Sequence, residues 1–189
     1  MKPDRAGRAA LPELALLDDL GREIQAALRE DITTGGRLSY EPSRDRDLEF
    51  DGYCAVASEA YFYLTGAALA GLDPADSTVD WERAGKKALE AGLQPMQLTR
   101  RERHGILRRG EDQSHWWIDR TAQGNKHEVI DLTIGPHDDP GDDYSYSEGN
   151  PKGFMMHGYK RPGKTRCLPL IAAISRKRRD VADDPPRRT

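Results

Sequence analysis

Apolar residues recur at helical spacing in the first half of the chain and in extended patterns in the second half. Three segments have the helical pattern: residues 12–30, 54–65 and 81–91. Three later segments are typical of strands: residues 96–107, 114–120 and 127–134. Because helices come first and strands follow, the sequence predicts an α+β fold and not a sheet built from alternating β–α units.

Turn-forming and capping residues mark the ends of the predicted helices. Pro12 suits the first turn of the first helix, and Glu13 suits the positive end of that helix. Gly66 is a plausible stop for the second helix. Asp80 is a candidate N-cap for the third helix, and Gly92 follows its end.

The composition predicts one globular domain. The chain has 189 residues, of which 37% are hydrophobic and 32% are charged. This length is enough for one hydrophobic core. We expect a flexible arm at residues 1–10, a single domain at residues 11–175 and a disordered charged tail at residues 176–189, since the tail carries almost no apolar residues.

Charge and cysteine content argue against several classes of function. The formal net charge is −3, so no overall field attracts nucleic acid, and acidic residues dilute the basic run 176–179. Two cysteines do not make a disulfide framework. Neither a leader pattern nor an apolar run long enough to cross a bilayer is present. We therefore expect a cytoplasmic protein with reduced thiols and no membrane partner.

No cofactor or metal is expected. The acidic run at residues 137–143 lacks the order of a calcium-binding loop. The remaining histidines are scattered without the spacing of a zinc site.

Three residues have the types that thiol catalysis requires. Cys54 lies at the predicted start of the second helix, His115 on one strand and Asp131 on the next. A helix N-terminus favours the reactive thiolate. An imidazole can take the thiol proton and return it to a leaving group, and a carboxylate can orient the imidazole.

The spacing of the last two residues permits a dyad. If residues 121–125 form the loop of an antiparallel hairpin, facing positions sum to 246, so His115 faces Asp131 directly. Facing Cβ atoms lie about 5 Å apart, within reach of a carboxylate–imidazole hydrogen bond.

Structural roles remain open for each of these residues. The cysteine could be core filler, the histidine a structural residue and the aspartate a turn-binding residue. Further candidates could line a substrate cleft, although core packing or a surface turn would also explain them: Tyr53, Trp116, Trp117 and Glu148.

Several short blocks together resemble a known family. They are Gly52–Ala60, Gly92–Met96, His115–Trp117, Ile130–Thr133, Tyr146–Gly149 and Gly153–Phe154. In this order they are similar to the YunG-like group, small proteins common in phages and bacteria. The order of cysteine helix, histidine strand and aspartate strand also resembles the papain-like and transglutaminase-like superfamily.

The resemblance implies a fold and a chemistry. The fold is a papain-like core in which the cysteine helix packs on an antiparallel sheet. The roles are nucleophile for Cys54, general base and then acid for His115, and orienting carboxylate for Asp131. A peptide or protein substrate with an amide-like bond is implied. One departure is that neither Gln94 nor Gln113 has the setting of a side-chain oxyanion donor. That departure keeps open the alternative of a non-catalytic binding or inhibitory protein.

Overall fold

The computed structural model describes residues 13–39, 50, 52–100, 113–121, 127–134, 146, 149–154 and 158–183. The helices in this part of the chain are α1 (Asp19–Thr33), α2 (Cys54–Ala70), α3 (Trp81–Glu90) and α4 (Cys167–Asp183). The strands are β1 (Glu13–Leu14), β2 (Leu93–Arg100), β3 (Gln113–Thr121), β4 (His127–Ile130) and β5 (Asn150–Pro151). The predicted α+β class is confirmed.

The strands of the described residues form one sheet in the order β1-β4-β3-β2-β5. β3 pairs antiparallel with both β2 and β4, and β5 pairs antiparallel with β2. β1 runs parallel to β4 at the other edge. The main core lies between the helices and one face of this sheet, while a smaller cluster of Met96, Trp117 and Val129 lies on the opposite face.

α2 is the central helix because it is apolar on every side. Its buried residues extend from Ala55 to Ala67, and it contacts the other three helices as well as β3. The prediction that Gly66 ends this helix is wrong. A Cβ atom at Gly66 would lie 2.0 Å from the Ala84 carbonyl oxygen, so the glycine allows α3 to approach closely. The helix ends at Gly71, which has the left-handed φ of 65°.

The first helix starts later than the sequence pattern predicts. Asp18 is its N-cap, and the Asp18 carboxylate accepts a hydrogen bond from the Gly21 N–H at 2.8 Å. Glu13 and Leu14 pair with β4 instead of forming the first helical turn. Strand pairing and a better cap downstream therefore override the helical spacing of the preceding residues.

The third helix and the three long strands agree with the predictions in part. Asp80 caps α3 by accepting a hydrogen bond from the Arg83 N–H at 3.0 Å, as predicted. β2 begins at Leu93, earlier than predicted, and residues 101–107 of the predicted strand lie outside the described residues. β4 ends at Ile130 instead of continuing to residue 134.

The prediction of a disordered tail is wrong for residues 176–183, which continue α4. The first half of α4 is anchored in the core through Leu170, Ile171 and Ile174. Its polar second half pairs with other elements through Arg178–Glu23 and Arg179–Asp73. Exposed ion pairs contribute up to about 1 kcal/mol each, so the buried apolar half is the main anchor. Residues 1–10 and 184–189 lie outside the described residues.

A buried carboxylate joins α2 to the start of α4. Glu59 is 3% exposed, and its Oε1 atom accepts a hydrogen bond from the Gly163 N–H at 3.1 Å. Burial raises the pKa of Glu59 to about 7, although the Gly163 N–H and the Cys167 thiol beside it act in the opposite direction. Glu59 is therefore a buried acid that ionises near neutral pH.

Glu59→Gln is expected to flatten the dependence of stability on pH. The pKa of Glu59 is higher in the folded state than the ordinary 4.5. The contribution of Glu59 to the free energy of unfolding is therefore fully present below pH 4.5 and is lost as the pH rises through 7. We expect the wild type to lose about 2 kcal/mol of unfolding free energy relative to the variant over this range. Urea denaturation of both proteins at about pH 5 and about pH 8 measures the difference. Parallel pH dependence of the two proteins would contradict the assignment.

Candidate active site

Cys54 is the first residue of α2 and is partly exposed. Gly52, with a φ of 77°, and Tyr53 lead the chain into the helix. The Cys54 thiol lies 3.6 Å from the Ser114 carbonyl oxygen, to which it donates a weak hydrogen bond. One turn later, the Ser58 hydroxyl donates to the Trp116 carbonyl oxygen at 3.2 Å. These two contacts hold the N-terminal part of α2 against β3.

His115 lies on β3 beside the residue whose carbonyl accepts from the thiol. Its side chain is 13% exposed, and its Nε2 atom is 2.6 Å from Asp131 Oδ2. Burial alone would lower the pKa of His115. The Asp131 carboxylate, assisted by the adjacent Cys54 side chain, more than reverses this effect and raises the pKa of the ring to about 10. Cys54, His115 and Asp131 thus lie next to one another, with the histidine between the cysteine and the aspartate.

Asp131 follows the last residue of β4, and its side chain is completely buried. Its Oδ1 atom accepts hydrogen bonds from the Thr133 N–H at 3.0 Å and the Thr133 hydroxyl at 2.8 Å. Its Oδ2 atom accepts from the Tyr146 hydroxyl at 2.9 Å as well as facing His115. Burial would raise the pKa of Asp131, but His115 and the two Thr133 donors hold it below its ordinary value.

The sequence patterns predict no contact of Asp131 with Thr133 or Tyr146, the two residues besides the histidine that bind its carboxylate. The Asp-x-Thr spacing is a known local turn pattern, so it could have identified Thr133. Tyr146 has no comparable local signal, because it contacts Asp131 only through the tertiary fold.

The predicted hairpin register is wrong by two residues. In the structure Thr121 pairs with His127, and Asp119 faces Val129 instead of His127. The pair nearest the turn is therefore formed by residues 121 and 127, whereas the prediction places residues 120 and 126 there. An even shift leaves every side chain on its predicted face. Asp131 consequently still lies on the same side as His115, although it is beyond the strand and not directly opposite.

The predicted cleft residues are mostly inside the protein. Tyr53 is fully buried, and its hydroxyl donates to Asp31 Oδ2 at 2.9 Å. Trp116 is 3% exposed and stacks on Phe154 in the main core. Neither Tyr53 nor Trp116 therefore lines an open cleft.

Trp117 contacts the site from within the protein. It is 1% exposed and stacks on the His115 ring, with the ring centroids 5.8 Å apart. It therefore covers one face of the imidazole. Glu148 lies outside the described residues.

No group of three histidine, cysteine, aspartate or glutamate side chains in the described ranges is arranged to bind a metal ion. None of the helices described above has both the length and the apolar character needed to span a membrane. Comparison of the chain with family models, curated proteins and solved structures found no match.

Proposed function

We propose that the protein is a thiol hydrolase or acyltransferase with a papain-like core that acts on an amide-like bond. The observation that supports this most directly is the chain of contacts from the Cys54 thiol through the His115 ring to the buried Asp131 carboxylate. The arrangement of the cysteine-bearing α2 on the antiparallel part of the sheet agrees with the proposed core.

The reaction would proceed in two stages. Since His115 Nε2 faces Asp131, Nδ1 is the ring atom that would hold the proton of Cys54, in a thiolate–imidazolium pair. The sulfur then forms a bond to the carbonyl carbon, and His115 passes the proton to the departing amine as the C–N bond breaks. Water or another amine, deprotonated by His115, would release the acyl group from sulfur. The Cys54 N–H, at the start of α2, would donate to the oxyanion.

Peptide, isopeptide and glutamine-amide bonds all fit this chemistry. Each presents a carbonyl carbon to the sulfur and an amine that must be protonated on departure. Hydrolysis and transfer differ only in whether water or an amine attacks the acyl-enzyme. The chemistry of the site therefore defines the type of bond and not one substrate.

A non-catalytic binding or inhibitory protein is the second candidate. One observation favours it: the Gln94 side-chain amide donates to the Pro95 carbonyl and the Tyr159 hydroxyl, so this glutamine does not serve as an oxyanion donor. In that case the three site residues would only stabilise the fold.

The reactivity of Cys54 toward iodoacetamide tests the proposal. At about pH 6 an ordinary thiol is almost entirely protonated. A thiolate paired with His115 would react about tenfold or more faster than glutathione at this pH. We expect His115→Ala to reduce the rate for Cys54 to that of glutathione. Mass spectrometry of the labelled peptides measures the rate at each cysteine.

Two controls separate catalytic activation from simple exposure. Cys167 is fully buried, and burial raises the pKa of its thiol, so it should remain unlabelled while the protein is folded. His127→Ala removes an exposed histidine at the other end of the hairpin and should leave the rate for Cys54 unchanged. A Cys54 rate no faster than that of glutathione, with no dependence on His115, would favour the binding protein.

A further inference from the structure

We propose that Tyr146 is a positioning residue that holds the Asp131 carboxylate in the orientation required by His115. The inference rests on the proposed function, because it assigns a role within the same site. The Tyr146 ring also lies beside His115, with the centroids 6.4 Å apart, but the role proposed here belongs to its hydroxyl and acts through Asp131.

The carboxylate of Asp131 has a donor for each of its acceptor positions. Two carboxylate oxygens offer about four lone-pair sites. Oδ1 receives both donors of Thr133, and Oδ2 receives the Tyr146 hydroxyl and faces His115. Thr133 alone would leave Oδ2 with the histidine as its only partner among these contacts. The hydroxyl of Tyr146 therefore determines which lone pair of Oδ2 points toward the imidazole.

Tyr146 is itself held by packing against the sheet. Its ring meets Trp117 edge-on, with the centroids 5.2 Å apart, and Trp117 in turn stacks on His115. The Gly149 N–H donates to the Tyr146 carbonyl oxygen at 3.3 Å. A Cβ atom at Gly149 would lie 2.2 Å from Trp117 Cζ2, so the backbone lies directly against the indole. The tyrosine and the indole thus form one packed unit around the histidine–aspartate pair.

The chain that follows Tyr146 is also attached to the sheet. β5 pairs with β2, where Pro151 lies opposite Met96. The Lys152 N–H then donates to the Pro95 carbonyl oxygen at 3.0 Å. Because several independent contacts fix this stretch, the Tyr146 side chain is held in place and its hydroxyl donates in a fixed direction.

Tyr146→Phe removes the hydroxyl and keeps the ring that packs on Trp117. Without this donor the carboxylate can tilt, and its hydrogen bond to His115 weakens. We expect the pKa of His115 to fall by about one unit, measured by NMR titration of histidine-labelled protein. The same change reduces the stability of the thiolate–imidazolium pair. Alkylation of Cys54 at about pH 6 should therefore slow by about tenfold.

Tyr61→Phe is the matched control. It removes a tyrosine hydroxyl that donates to the Asp18 carboxylate at 2.7 Å, outside the site. This variant should show the thermal destabilisation of a lost tyrosine–aspartate hydrogen bond with no change in the pKa of His115 or in alkylation. A purely structural role for Tyr146 would make the two variants alike.

The outcomes are distinguishable. An unchanged or raised His115 pKa in Tyr146→Phe overturns the proposal, since a raised value means that the tyrosine competes with the histidine. Failure of Tyr146→Phe to fold also contradicts it, because the remaining ring packing should maintain the structure. If wild-type Cys54 reacts no faster than glutathione, the proposed enzyme function fails. The His115 titration still decides whether Tyr146 orients Asp131.

Discussion

Asp131→Asn is expected to slow the reaction of Cys54 with an acylating substrate by about a thousandfold, while the protein remains folded. The asparagine oxygen can still accept both donors of Thr133. Its NH₂ group then replaces Oδ2, where it would donate to His115 instead of accepting from it and could no longer accept from the Tyr146 hydroxyl. The ring must then carry its proton on Nδ1, the ring atom proposed to take the thiol proton, so it can no longer accept that proton.

The pH dependence of the variant provides a second readout. In the wild type the pKa of His115 is raised to about 10, so the imidazolium is present at neutral pH and is lost as the pH rises through this value. Without the carboxylate, burial is the remaining strong influence and lowers the pKa of the ring. We therefore expect the imidazolium of Asp131→Asn to lose its proton at a much lower pH. NMR titration of His115 measures this change.

Asp119→Asn is the control for this prediction. Asp119 lies on β3, four residues from His115, and burial raises the pKa of its carboxyl group. Its replacement changes a partly buried carboxylate on the same strand without altering the contacts of His115 with Asp131 and Trp117. Equal losses of acylation rate in the two variants would mean that general destabilisation, and not the orientation of His115, causes the effect.

Gly66→Ala is expected to lower the free energy of unfolding by about 3 kcal/mol or more. The new Cβ atom would lie 2.0 Å from the Ala84 carbonyl oxygen and 2.7 Å from its carbon. Both atoms belong to the backbone of α3, so no change of side-chain rotamer can relieve the overlap. The two helices must separate, and the apolar surface between them loses contact. Denaturation in urea, followed by circular dichroism, measures the loss.

Gly21→Ala tests whether the close approach is responsible. Gly21 lies in the first turn of α1, and the atoms nearest to its added Cβ are side-chain atoms of Leu132 and Leu17 at 3.2 Å. Contacts at this distance need shifts of only a few tenths of an ångström, and alanine favours the helix by up to about 1 kcal/mol. We expect the stability of this variant to stay within about 1 kcal/mol of the wild type. A comparable stability for Gly66→Ala would show that α2 and α3 do not pack as closely as described.

The helix start at Cys54 and the face of the sheet shared by His115 and Asp131 could be predicted because local rules determine them. The apolar run after Cys54 predicts a buried helix that starts at the cysteine, and α2 begins there. The sequence predicts His115 on one strand and Asp131 on the next; His115 lies on β3, whereas Asp131 directly follows β4. Their common face depends only on the parity of the register, which the two-residue error left unchanged.

Other features depended on contacts between distant parts of the chain. The register follows from how far the ladder of β3 and β4 extends toward the turn, which short sequence patterns do not define. Residues 176–183 are helical although they have little apolar character, since they continue a helix whose first half is anchored in the core. Gly66 has the residue type of a helix stop, yet it lies inside α2, where the absence of a side chain allows α3 to pack closely.

The sequence by itself determined the α+β class, the helix start at Cys54 and the face of the sheet that carries His115, since the patterns of apolar residues that predict them extend over a few neighbouring residues. Only the tertiary structure decided that Tyr146 reaches Asp131, that Trp117 covers His115 and that Tyr53 is buried. The physical reason is that hydrogen bonding to a buried carboxylate and close packing join residues far apart in the chain. Their partners are therefore defined only when the core has formed.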